Sequence, residues 1–149
     1  MTELDRVAFR IDNDSVAIEV NGRPLVELVG EVERPFAERE GSPGIAGAYA
    51  PLELRVFDSV DEHFHGAPGS DLVCGPRDKT VLLGCDCGEP GCWPLLARVE
   101  VDHHTVTWDG FTQPHRDERW SYAAMRPLTF DRRQYDEALA ALKAQLDGR

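Results

Sequence analysis

The stretch Val81-Leu82-Leu83-Gly84-Cys85-Asp86-Cys87-Gly88-Glu89-Pro90-Gly91-Cys92-Trp93-Pro94-Leu95 sets how the remainder of the chain reads. Cys85, Cys87 and Cys92 fall within eight residues, punctuated by Gly88, Pro90 and Gly91. Glycine and proline withdraw the backbone options that helices and strands need, so this spacing predicts a tight knuckle. The apolar run Val81–Leu83 enters it as a buried strand, and Leu95 to Val101 leaves it as a second.

Beyond the second strand, Asp102-His103-His104 makes a turn and Thr105 to Trp108 returns. A loop carrying Pro114 and Trp120 follows, then a short strand from Leu128 to Phe130. Asp131 is a good N-cap, and Gln134 three residues on completes a predicted capping box. Tyr135, Leu139, Leu142 and Leu146 then form the apolar stripe of a helix over about 131–146.

Toward the other end, Val7, Phe9 and Ile11 alternate with polar or small residues, as do Val16, Ile18 and Val20. Asp12-Asn13-Asp14 lies between them, so 7–20 reads as a β-hairpin closed by Asn21-Gly22. Leu25, Leu28, Val29, Val32 and Phe36 change to helical spacing and predict a helix over about 24–33, ending before Pro35. Glu31, Glu33 and Glu38 read as its solvated face and exit. Residues 37–51 are loop-like, Leu52, Leu54 and Val56 suggest a short strand, and 58–79 has no clear period. The chain reads as α+β: one domain over 1–149, a mostly antiparallel sheet, a helix near 24–33 and a C-terminal helix near 131–146.

A chain of 149 residues buries enough surface to fold without a staple. Its net charge is −11, with 27 acidic against 16 basic residues and no clustered basic stripe. Such a field repels phosphate backbones and argues against nucleic acid as a partner, while remaining compatible with a basic protein partner. No window approaches the ~18 apolar residues of a membrane span, and Met1-Thr2-Glu3-Leu4-Asp5-Arg6 lacks the basic start of a secretory signal. The expected location is cytoplasmic, where thiols stay reduced and clustered cysteines bind metal or do redox chemistry.

Zinc takes four tetrahedral ligands, with thiolate sulfurs at ~2.3 Å. Cys85, Cys87 and Cys92 supply three, and the fourth candidates are Cys74, His103, His104, His115 and water. The strand leaving the knuckle carries His103 and His104 roughly 25–35 Å away at ~3.3 Å per residue. The returning strand brings His115 back, so the predicted metal set is Cys85, Cys87, Cys92 and His115. Cys74 precedes the turn Gly75-Pro76-Arg77-Asp78 and reads as a small buried hydrophobe. The spacing C-x-C-x4-C is less diagnostic than two CxxC pairs, and two other readings stay open. One is a glycine-rich turn with incidental cysteines. The other is a redox-active or disulfide-forming loop in which Cys85 or Cys87 pairs with Cys92.

Asp61-Glu62-His63-Phe64-His65 is a second cluster. On an extended segment His63 and His65 share one face, as metal ligands do, but a solvated acidic loop anchored by Phe64 is the preferred reading. Thr112-Gln113-Pro114-His115-Arg116 places polar groups beside the knuckle, where Trp93, Trp108 and Trp120 are candidates to line a concave surface or to pack a core. No nucleophile elbow, phosphate loop or nucleotide fingerprint is present.

Ile45-Ala46-Gly47-Ala48-Tyr49, the knuckle with Trp93, Val106-Thr107-Trp108, Gln113-Pro114-His115-Arg116 and Phe130-Asp131-Arg132-Arg133-Gln134-Tyr135 together resemble a family of small uncharacterised bacterial proteins. The resemblance covers about 25–142, with CxCGxxGC its most specific part. It implies no activity, only that the knuckle and the QPHR segment belong together. The functional reading is a non-enzymatic module whose structural zinc knuckle shapes a protein-binding surface, its partner unidentified. The alternative is an enzyme with an open metal or redox-active cysteine site beside Trp93, Trp108 and His115.

Overall fold

Two type I′-like turns start the chain's architecture. In the computed structural model, which describes residues 4–67, 79–87, 92–116 and 119–148, β1 (Val7–Asp12) and β2 (Ser15–Val20) pair antiparallel with Val7 opposite Val20 and Ile11 opposite Val16. Asn13 and Asp14 join them at φ +49° and +65°, and Asn21 and Gly22 turn β2 into β3 (Arg23–Pro24) at φ +53° and +82°. Consecutive positive φ angles match the strand twist, and Asn, Asp and Gly tolerate them best.

The first helix, α1, spans Leu25–Arg39 and runs straight through Pro35. The expectation that proline would end it is therefore wrong. Pro35 is exposed, so the carbonyl it leaves without an amide partner faces water, and Ala37 beyond it is fully buried. The stop comes at Gly41, whose φ is +76°. Gly41 N donates to Glu38 O and Ser42 N to Ala37 O, the paired bonds of a Schellman motif.

After a 3-10 turn at Pro43–Ile45, β4 (Tyr49–Ala50) and β5 (Leu52–Glu53) are short. The expected strand through Leu54 and Val56 stops early and becomes a 3-10 turn over Leu54–Val56. Within 58–79, α2 (Val60–Phe64) forms, capped by Ser59, whose Oγ accepts from Glu62 N. β6 (Thr80–Cys85), β7 (Leu95–Val101), β8 (Thr105–Thr112) and β9 (Leu128–Asp131) follow as the sequence predicts, the returning strand running four residues further. The last helix, α3 (Arg132–Asp147), is capped by Asp131, which accepts from Gln134 N. The capping box is half made, because the Gln134 amide turns away to bond the backbone N and O of Val7.

The fold is α+β. One antiparallel sheet has the order β1-β2-β3 with β5 also on β2, and the other has β4-β6-β7-β8-β9. A parallel bridge between Asp5 and Phe130 links them. Between the sheets and α3 lies an aromatic core of Phe9, Phe64, Trp108, Phe130 and Tyr135, with the Phe9 and Phe64 rings 4.7 Å apart. Leu139 and Leu142 complete the α3 face, each burial contributing about 1.5–3 kcal/mol. Among the described residues no helix is long and apolar enough to cross a membrane.

Candidate metal centre

Every residue of β6 is buried, and its last, Cys85, faces Tyr49 across the β4–β6 ladder. The chain emerges at once: Cys87 and Cys92 are exposed. The three sulfurs nevertheless lie within 4.8 Å of one another. The turn predicted for 88–91 and the reading of Cys74 both fall outside the described residues.

Around a tetrahedral zinc at ~2.3 Å from each sulfur, thiolates stand ~3.8 Å apart, so small side-chain shifts close this group on an ion. Cys87 N donates to Cys85 Sγ at 3.4 Å, the kind of amide-to-sulfur bond that favours thiolate. Asp86 Oδ1 lies 3.6 Å from the same sulfur. Burial pushes the Cys85 thiol up to about 12, and the neighbouring sulfurs add to the rise. A bound divalent ion would supply the charge that reverses this, and three thiols form a soft donor set of the kind thiophilic ions take.

His115 comes back beside the knuckle as the hairpin argument predicts. It sits in a 3-10 turn at Pro114–Arg116, just past β8, and its ring stacks on Trp93 with centroids 5.8 Å apart and planes 13° from parallel. The group of mutually close donor atoms holds the three thiols and not His115. Arg116 places its guanidinium 5.1 Å from the Trp93 ring, and Trp120 meets that ring edge-on. Glu40 accepts from Arg116 and from Trp120 Nε1, tying this patch to the end of α1. His103 and His104 lie at the far β7–β8 turn, beside Asp131, Arg132 and Arg133.

Of the two readings of Trp108, core packing holds, so it does not line a surface beside the knuckle as the open-site alternative required. It is fully buried, packs on Phe130 at 4.9 Å, and donates from Nε1 to Tyr135 Oη. It lies four residues beyond Leu95 in register, at Val99, on the core face of the sheet. The expected solvated acidic loop is a short helix with a buried face: His63 lies on α2 and His65 caps its end, neither is on an extended segment, and the two do not converge. His63 is buried against Phe57 and Phe64, with Nε2 on Val81 O at 2.7 Å, and burial lowers its pKa to about 4. His65 instead reaches Asp136 on α3 at 2.9 Å.

A polar group that sequence reasoning placed in solvent lies beneath the site. Glu33 is 1% exposed and accepts from Gly47 N at 2.8 Å and from the hydroxyls of Tyr49 and Tyr122. Burial raises its pKa, and the three hydrogen bonds offset only part of the rise. Its signal was in the period: Leu25, Val29, Glu33 and Ala37 are four apart and all buried. Gly47 must be glycine to reach it. Its φ is +67°, and a Cβ there would stand 3.1 Å from Gly30 Cα.

No family model matches the chain, and no solved structure matches it. Among curated proteins it is similar to the phenylalanine--tRNA ligase beta subunit of Solibacter usitatus (strain Ellin6076), 31% identical over 120 residues. That stretch is 70% of this chain and 14% of the relative, so the chain spans a small fraction of that protein's length.

Proposed function

We propose that this protein is a cytoplasmic zinc-binding module in which Cys85, Cys87 and Cys92 hold the ion and His115 swings from Trp93 to complete the shell. The observation that carries this reading is the convergence of three sulfurs within 4.8 Å from the two arms of one loop. Thiolate donation makes zinc a weak Lewis acid, which favours a structural, non-enzymatic role. Ordering of the loop would then fix Trp93 and Arg116 as an aromatic and cationic patch for a protein partner.

The test is metal content by mass spectrometry on untagged protein purified without chelator, together with a count of reactive thiols. One zinc per chain with three protected thiols is the expected result. No metal and freely reactive thiols would return the loop to a turn with incidental cysteines.

A second reading is supported by a cleft of about 140 Å³ lined by Pro51, Leu52, Val56, Cys85 and Asp86. If His115 stays on Trp93 and water takes the fourth position, the centre is open, and the cleft offers room for a small substrate. An exchangeable water ligand on the bound ion distinguishes this enzyme reading from the closed centre.

A further inference from the structure

We propose that Tyr49 and Gln113 are positioning residues for the cysteine centre, anchored on buried Glu33 and holding both arms of the loop and the His115 turn in one network. The inference rests on the metal reading for its function and on the hydrogen bonds for its geometry.

Tyr49 touches the entering arm. Its backbone pairs with Cys85, and its hydroxyl donates to Glu33. Gln113 touches the rest. Its Nε2 donates to Tyr49 Oη at 3.3 Å and to Pro94 O, on the leaving arm, at 3.0 Å. Its Oε1 accepts from His115 N at 3.0 Å. Gln113 is fully buried, and its bonds to Tyr49 Oη and Pro94 O are made out of reach of water, where leaving a partner unmade is costly. A register shift in the β7–β8 ladder between Leu96 and Arg98, with Gly110 at φ +61°, carries Gln113 to this place.

The network thus joins four segments distant in sequence: α1, the strand opposite Cys85, the exit of the knuckle and the turn that carries His115. Outer partners of this sort orient ligands and commonly set metal affinity by about 10–100-fold. Tyr122 gives the comparison. It also donates to Glu33 Oε2 and meets the Tyr49 hydroxyl, but among the described residues it makes no hydrogen bond to Cys85, Pro94 or the His115 turn, which Tyr49 reaches through its backbone and Gln113.

The experiment compares Tyr49→Phe with Tyr122→Phe by competition for zinc against a chromophoric chelator, alongside urea unfolding. Each variant removes one hydroxyl from Glu33, so a purely structural role lowers stability and affinity in parallel. The expected result is about tenfold weaker zinc binding for Tyr49→Phe and unchanged binding for Tyr122→Phe. Gln113→Leu, which keeps the volume and leaves the Tyr49 ring in place, repeats the loss by a second route. Equal affinity in the two tyrosine variants overturns the proposal. If the wild-type protein takes up no zinc, the metal reading falls and the positioning is read from the metal-free thiols. Diamide then closes the Cys87–Cys92 pair more slowly in Tyr49→Phe than in Tyr122→Phe, and equal rates overturn it.

Discussion

Tyr49 lies directly opposite Cys85 in the β4–β6 ladder, so the residue whose hydroxyl meets buried Glu33 also fixes the backbone of the first thiol. Cys85 is the end of a strand buried at every position, whereas Cys87 and Cys92 stand in solvent. The centre is therefore built from one thiol that the core places and two that the loop must bring to it. That asymmetry orders what substitutions do.

Replacing Cys87 with Ser removes an exposed ligand without touching the core. The loss should be confined to the metal and the stability that metal confers. At free zinc about a hundredfold above Kd, binding adds about 2.7 kcal/mol, which for a chain of this size is on the order of 5–10 °C in Tm. The expected outcome is that a chelator lowers the wild-type Tm by that amount and leaves Cys87→Ser unmoved. A chelator shift of equal size in both proteins would place the metal elsewhere.

Glu33 predicts a pH dependence of definite sign. Its folded pKa lies above the ordinary 4.5, because burial outweighs the bonds from Tyr122, Tyr49 and Gly47. The folded state holds this proton more tightly than the unfolded one. The associated stability is fully present below the unfolded value and is lost as pH rises through the folded value. Glu33→Gln removes the titration, its oxygen accepting from Gly47 N while its NH2 donates to the tyrosine hydroxyls, which rotate to accept. Urea unfolding from pH 4 upward should show a smaller fall in stability for the variant than for the wild type, and parallel curves would exclude the effect.

Pro35 sits exposed inside α1, where it withholds a donor from the preceding turn. Pro35→Ala should stabilise the protein by about 1–3 kcal/mol, since the exposed ring has little burial for alanine to forfeit. Denaturant midpoints at constant slope are the measurement. A loss of stability would show instead that the proline constrains the unfolded chain more than it strains the helix.

The period of the sequence made the hairpin, the β6–β8 meander and α3 legible, because each has one face that must be buried. Alternation also brought His115 back to the knuckle. Three things escaped. Gly41 rather than Pro35 ends α1, since an exposed proline loses one bond whereas a Schellman turn satisfies two carbonyls. The helix α2 is five residues long and its burial is tertiary, so His63 shows no period of its own. Glu33 breaks the apolar pattern on a buried stripe, and only the hydroxyls and amide that arrive from Tyr49, Tyr122 and Gly47 make its burial tolerable. The cysteine spacing gave the candidate site but not the network beneath it, whose members are drawn from residues 33 to 122.

The stack of His115 on Trp93 supplies an optical test of the fourth ligand. Trp93 follows Cys92 directly and is partly exposed, while Trp108 and Trp120 are buried. If His115 completes the zinc shell, its imidazole must leave the indole face as metal binds. The emission of Trp93 then changes in proportion to zinc until one equivalent is reached, and Trp93→Phe abolishes the change. His115→Ala keeps three thiolates and should bind zinc about 10–100-fold more weakly, the ordinary cost of a lost ligand or its close support. Because the ring is exposed and forms no side-chain hydrogen bond in the Gln113 network, the melting temperature of the metal-free variant should match the wild type. Unchanged affinity in His115→Ala, with the Trp93 signal retained, would assign the fourth position to water and favour the open centre beside the Leu52 cleft.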